Sequence, residues 1–361
     1  MVAPAERPKR SSSRKPHLAA CAMLLLATTL VPSCGGGGGG SSTTGWILLA
    51  PEEIRELPMT GPAWNELNSV AQESINSPDL SDQNDRDNIR ILAKALVHVR
   101  TGDATLRNQV IDACRDVIGT QGGTTLPLAR ELAAYVIAAQ LVGLPSADAA
   151  SFRSFLLQVR GQVIDGRTLI STHRDRPNNW GTHAGASRIA IARYVGDAKD
   201  LADAARVFRG YLGDATSYAG FDYGDLWWQS NSGTPVGINP AGATLGGENV
   251  DGVLPDDQRR AGNFTWPPPQ ENYVYEALQG VLLQALLLEQ AGYDDVWAWE
   301  DQAILRAFEW LNAEAAYPAQ GDDEWQPFLV NHIYGTSFPT VGGGAEPGKN
   351  FGFTDWLFPA P

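Results

Sequence analysis

Cysteine is scarce. The 361-residue chain has three, and two of them, Cys21 and Cys34, stand within its first 34 residues. Only Cys114 remains for the body of the protein, which excludes a disulfide framework and a cysteine-built metal centre. Basic charge is short as well: 27 Lys and Arg face 41 Asp and Glu, a formal charge of −14. The first 33 residues hold five of the basic side chains and one of the acidic ones, so the remainder stands at −18. A chain of that sign is not expected to bind nucleic acid through a general basic face. Histidine is rare, five in all, and no clustered His/Asp/Glu spacing points to a metal, so neither metal nor other cofactor is expected. Beyond residue 33, no apolar stretch reads as long enough to cross a bilayer.

The N-terminus is organised differently from the rest. Arg7, Lys9, Arg10, Arg14 and Lys15 precede an apolar run from Leu18 to Leu30 that is too short to span a membrane, which is the layout of an export signal. Val31-Pro32-Ser33-Cys34 resembles the lipobox cut by lipoprotein signal peptidase, in which the cysteine receives the lipid. The expectation is an exported lipoprotein with three parts. Residues 1–33 are the signal, and residues 34–44 are lipidated Cys34 with a flexible tether of six glycines and Ser41-Ser42. Residues 45–361 are one large domain, expected to be monomeric and to touch the membrane only through the anchor.

Within that domain several apolar-periodic segments share one pattern, a helix, a Gly-Asp or similar turn, and a second helix. Ile89–Val99 leads through Gly102-Asp103 to Leu106–Ile118, and Ser187–Tyr194 leads through Gly196-Asp197 to Leu201–Leu212. Val281–Gln290 leads through Gly292 to Trp297–Leu311, and Leu128–Leu141 with Gly143 and Phe152–Val163 gives a looser copy. Antiparallel helix pairs bury their apolar faces only by stacking on neighbouring pairs. The pattern predicts an all-α domain, with an incomplete α/α toroid favoured over an open solenoid. The reason is the long stretch Asp214–Gln270, rich in Gly, Asn, Pro and Trp, which predicts irregular loops and some short strands over one rim. The Gly/Pro-rich tail from Gln326 could close over the same rim.

Two polar clusters stand out. The first runs from His173 to His183 and includes Arg176, Asn178, Asn179 and Trp180. A helix beginning near Pro177 puts Asn179 and His183 at i and i+4, on one face, where an amide and an imidazole could meet one ligand. The same residues also suit a simpler arrangement, with Asn178 as helix cap and His183 as an interior histidine. The second cluster, Glu248 to Arg260, precedes Tyr273-Val274-Tyr275-Glu276. Its adjacent Arg259 and Arg260 either carry function or pair with Asp256 and Asp257.

The order Asp251-Gly252, Leu254-Pro255, Arg259 or Arg260, then Tyr273 six residues before Gln279, resembles the alginate lyase family of polysaccharide lyases. Asn178-Asn179 at a helix head and the opening Ile54–Trp64, with Leu57-Pro58 and Gly61-Pro62-Ala63-Trp64, are similar to that family too. The resemblance implies an α/α toroid and cleavage of a uronic-acid polymer by β-elimination. Carried over by position, Asn179 and Arg259 or Arg260 would engage the uronate carboxylate, and Tyr273 would act as acid and also as base, an arginine nearby easing its ionisation. One departure is plain: the family's alginate-cleaving members place histidine directly after the second asparagine, whereas here Trp180 follows and the histidine is His183. That puts in doubt the role of His183 and alginate as the substrate. Candidate substrate contacts are Asn178, Trp180, His173, Arg176, Tyr275, Trp228 and Trp266, with His332 a reserve acid or base.

Two other classes stay open. A toroidal glycoside hydrolase would draw two carboxylates from Asp222, Asp225, Glu248, Asp251 and Glu271. A non-catalytic glycan-binding lipoprotein would need neither acid nor base. For the lyase, an acidic polysaccharide must be drawn to an acidic protein, so the basic residues at 173–176 and 259–260 must meet in space.

Overall fold

The computed structural model describes residues 45–359; the export signal, Cys34 and the glycine tether expected from the sequence lie outside the described residues. The chain is mostly helical, as predicted. Helices α1 (Pro51–Glu56) and α2 (Pro62–Gln72) each begin on a proline, whose fixed φ suits the first helical position and whose missing N–H costs nothing there.

The helices of the four expected pairs are all present, and within the first and third pairs the two partners pack closely on one another. In the first, α3 (Asp87–Thr101) stops at Gly102, where φ is +78°, and Asp103 caps α4 (Ala104–Asp116) by accepting from the Thr105 and Leu106 amides. The second is α5 (Thr125–Val142) with α6 (Ser146–Val159). A short α7 (Leu169–Asp175) then leads into the third, α8 (Asn179–Tyr194) with α9 (Ala198–Leu212), the latter capped by Asp197. Within the irregular stretch lie the hairpin strands β1 (Thr244–Leu245) and β2 (Glu248–Asn249) and a single turn, α10 (Pro255–Gln258). The fourth pair is α11 (Asn272–Glu289) with α12 (Trp299–Ala313), and the tail carries α13 (Gln326–Tyr334) and α14 (Thr354–Leu357).

The core is built around α8, which packs on both α5 and α11, while α5 packs in turn on α3. Helix α5 corrects the sequence reading: by length and composition it is apolar enough to cross a membrane, yet it is almost wholly buried inside the fold. An all-round apolar helix is what the centre of a large helical domain requires. Two small residues set the closeness of α8 to α11. A Cβ on Gly280 would lie 2.4 Å from the Thr182 carbonyl carbon and 2.5 Å from the His183 nitrogen, and one on Gly185 would lie 2.2 Å from Gln284 Oε1. Polar staples fix the register, with Gln284 donating to the Thr182 carbonyl at 3.0 Å and Ser187 donating to the Ala129 carbonyl at 2.7 Å.

The irregular stretch is held as firmly as the helices. Trp228 is fully buried and donates from its indole to the Gly262 carbonyl at 3.0 Å, and Arg306 ties the Asn239 carbonyl and Asp251 to α12. The tail is strapped to the centre: Gln279 on α11 accepts from the Lys349 amide at 2.8 Å, and Asn88 on α3 donates to the Lys349 carbonyl at 2.8 Å.

Candidate functional site

Because α8 lies between α5 and α11, the first turns of all three helices open on one cavity of about 600 Å³. Its wall takes Leu126 and Arg130 from α5, Asn179 and Trp180 from α8, and Tyr273 and Glu276 from α11. Arg176, Arg260 and Lys349 reach it from the connecting segments and the tail. Helix N-termini carry partial positive charge, so their convergence with four cationic side chains favours an anion. Another cavity of about 600 Å³, lined by Trp46, Arg55, His98 and Gln140 among others, contains none of the residues singled out from the sequence.

The head of α8 is fixed by α10. Asn178 caps the helix, accepting from the Trp180 amide at 3.2 Å, and its own amide donates to Asp256 at 2.8 Å. Asp257 accepts from the Asn179 amide nitrogen at 3.1 Å, while burial and the adjacent Asp256 push its own carboxyl well above the usual range. Between these anchors the Asn179 side chain is fully buried on the cavity wall, and neither its Oδ1 nor its Nδ2 has a protein partner. A buried, unsatisfied amide costs about 1–3 kcal/mol, which a bound ligand can recover.

The paired arginines divide. Arg259 turns away from the cavity into ion pairs with Asp256 at 2.9 Å and Asp225 at 3.8 Å, packed so tightly on Gly224 that a Cβ there would lie 2.2 Å from its guanidinium. Arg260 makes no salt bridge among the described residues; its guanidinium carbon lies 4.2 Å from the Tyr273 ring centroid. Arg176 is also without an ion-pair partner among the described residues and lies 4.4 Å over the Trp180 ring. Burial, with Arg167 and then Arg260 as like charges, holds the Arg176 guanidinium below its ordinary value. One residue from each basic segment, Arg176 and Arg260, therefore reaches the same cavity. Stacking covers one face of each guanidinium and leaves the edge N–H groups for an in-plane partner such as a carboxylate.

The same cavity also holds a charge cluster that the sequence does not announce. Glu276, buried, is held between Arg130 at 2.8 Å and Lys349, and Lys349 also approaches Asp322 at 3.4 Å. Two influences oppose at Lys349. Burial, with Arg130 and Arg86, pushes it down to about 8, whereas contact with two carboxylates favours its charged form. A group at about 8 is still mostly protonated at pH 7, and its carboxylate partners favour that form, so Lys349 is read as an ammonium. Arg130 lies within electrostatic reach of Tyr273, which is 40% exposed and so open to a ligand.

Several residues singled out from the sequence are not on this wall. His183 is fully buried beneath it, with both ring nitrogens unpartnered; burial, Arg130 and Lys349 hold it well below the ordinary histidine value, hence neutral. His173 is buried against Arg188 and Gln284, away from the cavity. Tyr275 is buried, its hydroxyl donating to the Tyr317 carbonyl at 2.7 Å, and Trp228 is core. Trp266 is outside the cavity lining, and exposed His332 stacks on Phe358. Of the candidate hydrolase carboxylates, none lines the cavity: Asp251 pairs with Arg306, Asp225 with Arg259, and Glu271 caps α11. His173 and Tyr275 lie on the inward faces of their helices, Tyr275 two residues from Tyr273 and so on roughly the opposite side of α11.

Comparison with protein-family models and with curated proteins finds no match.

Proposed function

We propose that this protein is a polysaccharide lyase that cleaves a uronic-acid-containing glycan by β-elimination, on an incomplete α/α toroid with the cavity at its mouth. In this reading it is an exported, lipid-anchored lipoprotein. The observation that carries the reading is the convergence of Asn179, Arg260 and Tyr273 on one cationic cavity in a chain whose formal charge is −14.

The chemistry follows from what each group can do. Edge N–H groups of Arg260 and the unsatisfied amide of Asn179 bind the uronate carboxylate, and neutralising that charge makes the C5 proton acidic. Tyr273, stacked under Arg260, is the base that takes the C5 proton. The C5 electron pair forms the C4–C5 double bond, the C4–O4 bond breaks, and the same tyrosine returns its proton to O4, so the enzyme ends as it began. Arg259 and His183 have no part in this scheme. The hydrolase alternative needs two carboxylates at the substrate, and the single one on the wall, Glu276, is clamped by Arg130 and Lys349.

The test is incubation with alginate, glucuronan and other acidic polysaccharides while following ultraviolet absorbance of new double bonds. Growth of that absorbance supports the lyase, and chain shortening without it sinks elimination in favour of hydrolysis.

A further inference from the structure

His183, buried, neutral and behind the wall, supplies no cation to the cavity. The two cations whose charge it feels are Arg130 and Lys349. Arg130 is spent on Glu276 and is only 8% exposed, whereas the Lys349 side chain is 30% exposed and borders the cavity. An ammonium has three donors; one goes to Glu276, Asp322 lies 3.4 Å away as an ion-pair contact, and at least one donor is left for a ligand.

Delivery of this lysine is built into the fold. Its amide and carbonyl are both taken, by Gln279 of α11 and Asn88 of α3, and Asn350 donates to the Gln279 carbonyl at 3.1 Å. Arg86 fastens the Pro347 carbonyl at 2.8 Å. The residue before the lysine must be glycine, because a Cβ on Gly348 would lie 2.3 Å from the Trp325 indole nitrogen and 2.8 Å from Gln279 Oε1. So many fixed points on an irregular segment hold one side chain in one place. A strap of this kind could serve packing alone, but packing does not require an ammonium bordering the same cavity as Asn179 and Arg260.

We infer that Lys349 is a further substrate-binding residue of this site, a remaining N–H donating to the uronate carboxylate together with Asn179 and Arg260, with the Glu276 carboxylate positioning it. The inference rests on the lyase reading for its substrate and adds a cation from the tail. Glu276 holds the lysine through one carboxylate oxygen while Arg130 holds the other.

The test uses two readouts. Lys349→Gln is expected to lower kcat/KM at least a hundredfold on whichever polymer the parent cleaves. Lys349→Cys alkylated with 2-bromoethylamine, which rebuilds an ammonium at nearly the same reach, is expected to recover at least a tenth of the parent value. Buried Cys114, its thiol pushed up to about 12 by burial and Asp148, stays unreacted. Separately, Tyr273→Phe protein is titrated calorimetrically with a trimeric uronic-acid oligosaccharide, and Lys349→Gln in that background is expected to weaken binding at least tenfold. Should loss of the charge partner prevent folding, Lys349→Gln with Glu276→Gln removes both charges together, and the same tenfold loss is expected. Unchanged affinity in the folded variants, or alkylation that restores nothing, overturns the inference. A parent that binds the trimer through Lys349 yet yields no unsaturated product leaves the lysine assignment standing and removes the lyase reading.

Discussion

Arg260 rests on the face of Tyr273 with 4.2 Å between guanidinium carbon and ring centroid, and it lacks a salt-bridge partner among the described residues. That guanidinium is exposed to solvent and has no competing carboxylate, so its edge N–H groups are open to an anionic ligand beside the tyrosine. That relationship makes the tyrosine the first target. Tyr273→Phe is expected to lower turnover by about 10²–10⁴, the usual worth of a positioned acid or base. Because the ring is 40% exposed, its melting midpoint should move by no more than about 0.5 kcal/mol of stability. Product absorbance and a thermal melt on the same preparation check both halves, and full activity in the variant removes the proposed acid.

The neighbouring arginines separate binding from stability. Arg260→Ala should cost about 10²–10³ in kcat/KM with little change in melting, since it takes away a charge-stabilising donor and only a solvent-exposed stack on Tyr273. Arg259→Ala should do the reverse. It leaves Asp256, whose side chain is 2% exposed, without its cation, and a loss of about 1–3 kcal/mol is expected. Denaturant unfolding beside steady-state rates distinguishes the two, and equal effects of the two substitutions on rate would contradict the division.

Much of this was legible from the chain alone because helices announce themselves locally. Gly102, Gly143, Gly196 and Gly292 mark the turns between paired helices, and Asp103 and Asp197 cap the second helix of their pairs. The same local rules place Asn179 at the head of α8 and Tyr273 at the head of α11. What they cannot give is rotation about the helix axis relative to distant neighbours. His173, His183 and Tyr275 were plausible by spacing and prove to point into the core. Choosing Arg260 over Arg259 depended on Gly224, thirty-five residues away, making room for one guanidinium. Arg130, Glu276 and Lys349 meet across separations of 73 and 146 residues, and no local motif carries such a meeting.

A buried carboxyl next to the site gives a pH signature. Glu131 is 1% exposed with neither oxygen partnered, and burial, with Asp85, Asp79 and Asp82 as like charges, raises it from 4.5 to about 10. In the folded protein it therefore keeps its proton up to about pH 10, while in the unfolded chain it ionises near pH 4.5. Between those values unfolding releases a proton, so this group's contribution to stability is fully present below pH 4.5 and is lost as pH rises through the window. Glu131→Gln cannot ionise. Its stability relative to the parent should rise from pH 4.5 toward pH 8, by about 1.4 kcal/mol for each pH unit until other groups intervene. Urea midpoints of the two proteins across that range measure the difference, and a flat difference would show that Glu131 is ionised in the folded protein.

Two glycines separate a turn requirement from a site requirement. At Gly102 φ is +78° and nothing lies within 4 Å of an added Cβ, so Gly102→Ala suffers only backbone strain, about 1 kcal/mol, far from the cavity. Gly181 has no unusual φ, yet a Cβ there would sit 1.8 Å from the Arg176 carbonyl oxygen and 2.9 Å from its carbon. Backbone faces backbone, so the first turn of α8 must move away from the segment that carries Arg176. Trp180 and Asn179 move with that turn, and the Arg176 stack at 4.4 Å opens. Overpacking of this kind costs about 1–3 kcal/mol, comparable with the turn glycine at its lower end. Activity should tell them apart: measured well below both melting midpoints, Gly102→Ala is expected to keep the parental kcat/KM while Gly181→Ala loses at least tenfold. Equal losses would mean that turnover follows global stability and that the geometry at the head of α8 is not what the reaction depends on.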